Sequence, residues 1–79
     1  MNQSALGGAR PAVRTAGGKS FERRDDGVWY DSSYRGQSTK KISRGSDRYK
    51  KLDGDLRSIA NELGGTVVIV WKGTAYRIQ

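Results

Sequence analysis

The chain has 79 residues, a formal charge of +7, no cysteine and no histidine. That length allows one domain, and so short a chain buries only about 60% of its unfolded surface. The missing residue types exclude disulfides, thiol nucleophiles, cysteine-ligated zinc, and the commonest general base and metal ligand.

Residues Met1–Ala12 are rich in Gly, Ala, Ser and Asn and carry the single proline, Pro11. Their low hydrophobicity predicts a tail or linker ahead of one small domain over 13–79. From Val13 onward, short extended pieces alternate with turn signals. Val13–Thr15, Ala16-Gly17-Gly18 and Lys19–Arg23 predict a first hairpin. Asp25-Asp26-Gly27 predicts a second turn, since Asp and Gly tolerate the positive φ of tight loops. It joins Lys19–Arg24 to Val28–Asp31 through a loop of two or three residues, so the register there stays open. Ser32–Gln37 is polar and predicts a loop, and Ser38–Arg44 alternates as a strand does.

Ser46 is a good N-cap, and Asp47 suits the positive end of a helix dipole. Tyr49, Leu52, Leu56, Ile59 and Leu63 step by three and four, which makes one apolar stripe. Gly64-Gly65 ends it. Asp53-Gly54 interrupts it, so one helix over 46–63 kinked at Gly54 and two short helices meeting there both fit. The closing run, Thr66–Gln79, predicts a β-hairpin on a Lys72-Gly73 turn. Counting outward pairs Trp71 with Thr74, Ile69 with Tyr76 and Val67 with Ile78, all on one face. Val68, Val70, Ala75 and Arg77 fall on the other. The expected fold is α+β: a small antiparallel sheet of about five to six strands on one helical segment, ending in a hairpin.

Reactive constellations are weak. Gly17-Gly18-Lys19-Ser20 imitates the end of a phosphate loop, but Val13 stands where the first glycine belongs and an extended segment follows. Asp31-Ser32-Ser33 lacks adhesion-motif spacing, because Arg35 occupies the second serine position. Asp25/Asp26 and Asp53/Asp55 lack calcium-loop spacing. No serine has an obvious activating base. The expectation is a non-catalytic chain with no catalytic residues, no cofactor and no metal ligands.

The aromatics and basic residues carry more. Trp29 and Tyr30, adjacent on a strand, point to opposite faces. Trp71, sharing a face with Ile69 and Tyr76, is expected in the core. Tyr30 and Tyr34, near Arg23, Arg24 and Arg35, are candidates for a partner surface. Lys40, Lys41, Arg44, Arg48, Lys50 and Lys51 form the strongest basic patch. It fits either a solvated face or a nucleic-acid surface, with Arg10 and Arg14 as an arm. The protein-partner reading includes self-association as a homodimer through a sheet edge such as Ser38–Arg44. No apolar stretch reaches the roughly 20 residues of a membrane span, and the N-terminus lacks a secretory h-region.

Three phrases carry a family resemblance. Gly27-Val28-Trp29-Tyr30-Asp31, Ser46-Asp47-Arg48-Tyr49 and Gly73-Thr74-Ala75-Tyr76-Arg77-Ile78 stand in an order that resembles the C-terminal segment of bacterial proteins carrying a VIT domain and a von Willebrand factor type A domain. The resemblance spans about Val13–Ile78. It implies a non-enzymatic accessory module of a larger extracytoplasmic or surface protein, or a stand-alone relative, engaged in protein interactions. Metal-dependent adhesion does not carry over, because its residues belong to the von Willebrand A domain.

Overall fold

The computed structural model describes residues 12–79. The expected tail therefore lies outside the described residues except for Ala12, which opens the first strand. The elements are β1 (Ala12–Ala16), β2 (Lys19–Arg23), β3 (Trp29–Asp31), β4 (Thr39–Ile42), α1 (Asp47–Lys50), α2 (Gly54–Leu63), β5 (Val67–Trp71) and β6 (Thr74–Ile78). The architecture is α+β: six strands form one sheet in the order β1-β2-β3-β5-β6-β4, with the helical segment on one face.

Both two-residue turns work as the residues require. Gly17 and Gly18 have φ of 58° and 77°, and Ala16 pairs with Lys19. Gly17 has a second reason to lack a side chain, since a Cβ there would lie 2.6 Å from Ile59 Cγ1 of α2. In the last hairpin Lys72 and Gly73 take φ of 49° and 82°, so a lysine occupies the left-handed region. Its register pairs Val67 with Ile78, Ile69 with Tyr76 and Trp71 with Thr74, as counting from the turn requires. Between β2 and β3, Arg24 and Val28 close a turn of three residues, Asp25 to Gly27. The Gly27 N–H donates to the Arg24 carbonyl at 2.8 Å and the Arg24 N–H to the Val28 carbonyl at 3.2 Å.

The sheet is mixed. β1–β2, β2–β3 and β5–β6 are antiparallel, while β3–β5 and β4–β6 are parallel. Parallel neighbours need a long crossover, and the helical segment supplies it. The final hairpin therefore inserts between β3 and β4 instead of extending one side.

The helical segment is two helices. Ser46 caps α1, its Oγ accepting from the Tyr49 N–H at 3.1 Å, and Asp53 caps α2, its Oδ1 accepting from the Asp55 N–H at 3.1 Å. An aspartate cap followed by glycine restarts the helix where the apolar stripe is broken. The Tyr49 hydroxyl donates to Asn61 Oδ1 at 2.9 Å and ties the two together. Leu56, Ile59, Ala60 and Leu63 of α2 pack on Phe21, Trp29, Val67, Ile69 and Ile78, all buried. Tyr49, Leu52, Trp71 and Tyr76 border this core, half-buried.

One buried polar group completes the sheet. β3 ends at Asp31, leaving Val70 of β5 without a strand to accept its N–H. Asp31 Oδ2 takes it at 2.9 Å, while Oδ1 accepts from the Ser33 N–H at 2.9 Å and Lys19 Nζ lies 3.0 Å from Oδ2. A carboxylate this buried, 2% exposed, is tolerable only with such partners.

Candidate interaction surface

Trp29 and Asp31 face the helices, so Tyr30 between them faces away, onto the side that no helix of the described residues covers. Across that face run Val13, Glu22, Tyr30, Val68, Arg77 and Lys41, each abreast of the next in the register. The turn after β3 brings Tyr34 back over Tyr30: its N–H donates to the Asp31 carbonyl at 2.9 Å, and the ring centroids are 5.7 Å apart. Arg24 places its guanidinium 4.1 Å from the Tyr30 centroid. A cleft of about 330 Å³ opens here, lined by Val13, Ser20, Glu22, Arg24, Tyr30 and Tyr34 among others.

Hydrogen bonds fix both rings. The Tyr30 hydroxyl donates to Asp26 Oδ2 at 2.7 Å, and Asp26 Oδ1 accepts from the Val28 N–H at 2.9 Å. The Tyr34 hydroxyl donates to the Gln37 carbonyl at 2.9 Å. The Val28 N–H and then the Tyr30 hydroxyl hold the Asp26 carboxyl below its usual range, helped by the charges of Arg77 and Arg24. The bond to Asp26 pushes the Tyr30 phenol up, with loss of hydration and the Asp26 charge adding to it and Arg77 opposing. The arrangement is a rigid aromatic platform with a cation laid on it. It suits contact and stacking.

The structure brings Tyr30 and Tyr34 together and sets Arg24, one of the three nearby arginines, over Tyr30. Arg23 lies on the opposite face, its guanidinium 5.6 Å from the Trp29 indole centroid. Arg35 is exposed beside the platform, its N–H donating to Gln37 Oε1 at 2.7 Å. The basic patch does not assemble as one surface. Lys40 lies abreast of Tyr76 and Lys41 abreast of Arg77, so they point to opposite faces. Arg44 is engaged inward: its guanidinium donates to the Ala60 carbonyl at 3.0 Å and the Gly65 carbonyl at 2.6 Å, closing the C-terminal end of α2. Arg48, Lys50 and Lys51 are exposed on and just after α1.

Sequence reasoning missed the hydrogen bond from Tyr30 to Asp26 and the placing of Arg14, 5.8 Å from the Trp29 centroid on the helix side. The offset of four between Asp26 and Tyr30 spans a turn whose register was open, so no periodicity could reveal the contact. A second cleft of about 320 Å³ lies between α2 and the hairpin, lined by Gly17, Asp55, Ser58, Ile59, Glu62 and Trp71. The Trp71 Nε1 is buried without a hydrogen-bond partner.

Among the described residues no helix is long and apolar enough to cross a membrane. The three phrases behind the family resemblance fall on the entry to β3, the cap of α1 and the last strand, all positions that build the fold. Comparison with family models, curated proteins and solved structures found no match for this chain.

Proposed function

We propose that this chain is a non-catalytic protein-interaction module that presents the helix-free face of its sheet to a protein partner. The observation that carries the reading is the Tyr30–Tyr34 pair under Arg24, which borders an open cleft on a face with no second layer. Tyrosine and arginine are enriched among residues that dominate binding energies, because they bury large areas at low entropic cost and keep a polar tip. Hydrogen bonds to Asp26 and Gln37 preorganise both rings, which lowers the ordering cost of association. The resemblance to the accessory segment of VIT and von Willebrand A proteins points the same way, toward a module of a larger extracytoplasmic protein or a stand-alone relative.

A selection of phage-displayed random peptides against the full chain tests this reading. Enriched peptides should lose binding to Tyr34→Ala and Arg24→Glu variants that melt like the parent. Failure to enrich any peptide, together with a single-stranded DNA gel shift that strengthens at low salt, overturns it in favour of phosphate recognition.

A further inference from the structure

The sheet has two free edges among the described residues, and they are not equivalent. β4 presents Thr-Lys-Lys-Ile, with adjacent lysines of the kind that deter strand pairing. β1 presents Ala-Val-Arg-Thr-Ala, with a single charge, Arg14, in place of the adjacent pair. Val13, 64% exposed, is the large apolar side chain left to solvent among the described residues. The Gly17-Gly18 turn fixes which β1 backbone groups are free. In a two-residue hairpin the closing pair, Ala16 and Lys19, is hydrogen-bonded, and alternation makes Arg14–Phe21 and Ala12–Arg23 bonded as well. The N–H and C=O groups of Val13 and Thr15 therefore point outward, with no partner strand among the described residues.

Beside that edge, on the helix side, Arg14 and Arg23 place their guanidiniums 5.8 Å and 5.6 Å from the centroid of one indole, Trp29. Their stems help cover Trp29, which is 7% exposed, and one ring is in contact with two like charges. Neither guanidinium pairs with a carboxylate: the ion pairs among the described residues are Lys19–Asp31 and Lys72–Asp53. Free strand groups, an exposed valine and the unneutralised Arg14 thus share one edge, with the unneutralised Arg23 on the strand behind it.

We propose that β1 is the docking edge for an extended, acidic segment of a partner protein, whose carboxylate is clamped by Arg14 and Arg23. This rests on the protein-interaction reading and specifies its partner. The alternation of a strand dictates the segment's pattern. A residue abreast of Arg14 falls on the Trp29 side and is acidic, matching the guanidinium fork. Its neighbours fall on the helix-free side beside Val13 and the tyrosine cleft, and are apolar. A second copy of this chain fits poorly. The antiparallel self-pairing that uses the outward groups of both Val13 and Thr15 sets Arg14 opposite Arg14, between chains each carrying +7.

The test is an NMR titration of the isotope-labelled full chain with a blocked peptide of about eight residues, a typical strand length, alternating valine and glutamate. Controls are its lysine twin, an N-methylated version and a single-stranded oligonucleotide. Amide shifts should centre on Val13–Thr15. The glutamate peptide should bind at least about tenfold tighter than the lysine twin, as loss of a charge-assisted pair implies. N-methylation, which leaves the protein untouched, should abolish binding, and the double variant Arg14→Glu/Arg23→Glu should prefer the lysine twin. Shifts at Tyr30 and Tyr34 with Val13–Thr15 unmoved overturn the docking edge and leave the interaction module standing. Binding of the oligonucleotide alone overturns both. Equal binding of the glutamate and lysine peptides overturns the arginine clamp.

Discussion

The two faces of the sheet bury apolar residues by different means. Under α2, Ile69 is sealed by helix side chains, and its exposure is zero. On the other face no helix of the described residues lies, yet Val68 is only 1% exposed, because it sits between Tyr30 and Arg77 in the register. One face is closed by a second layer and the other by the long side chains of its own neighbours. A residue can be equally dry in both places, but only truncation in the first leaves a rigid cavity. Side chains in the second place can fold down to fill a gap.

The largest expected effect tests that difference directly. Ile69→Ala should cost about 3 kcal/mol in chemical denaturation, by lost transfer energy plus cavity, whereas Val68→Ala should cost about 1–1.5 kcal/mol. Equal losses would break the comparison, by showing that the helix-free face is as rigid as the covered one. Next comes Asp31→Ala, which leaves the Val70 N–H and the Lys19 ammonium without their acceptor and should cost about 2–3 kcal/mol. Asp31→Asn, which keeps an acceptor, should lose less. Gly17→Ala forces a side chain into the left-handed region and against Ile59, and should lower stability by about 1–2 kcal/mol. Gly18→Ala, with open space around it, should show only the backbone part of that loss.

The smallest effect lies on the helix-free face. The depressed Asp26 carboxyl contributes stability that is present above its unfolded pKa and is lost as pH falls through its folded value. The raised Tyr30 phenol contributes stability that is present below its unfolded pKa and is lost as pH rises through its folded value. Phenolate absorbance should place Tyr30 above the ordinary tyrosine range, and Asp26→Asn should return it toward that range. A Tyr30 titration unmoved by Asp26→Asn would remove this bond as an anchor of the aromatic platform.

The last hairpin was legible in the sequence because a two-residue turn and an apolar alternation each fixed the same register. The break before Gly54 was legible as a choice between two forms, and the Asp53 cap resolves it. Strand order was not legible: periodicity says which residues share a face, not which strand lies alongside, so the expected antiparallel sheet proves mixed. For the surface, the adjacency of Trp29 and Tyr30 correctly sent one inward and one outward. The basic cluster from Lys40 to Lys51 is close in sequence but divided in space, because neighbouring strand residues face opposite ways. Arg44 reaches a helix end sixteen and twenty-one residues away, a distance no local pattern encodes.

The insertion of β5 and β6 between β3 and β4 has a consequence for biosynthesis. The strands that join the two halves of the sheet are the last of the eight described elements to leave the ribosome, so β1–β2–β3 and β4 stay unjoined until they do. Until then β3 and β4 each lack a neighbour, and the apolar stripe of α2 lacks its floor. Folding of this domain is thus an event of completion, and a nascent chain stopped after Leu63 cannot close the six-stranded sheet.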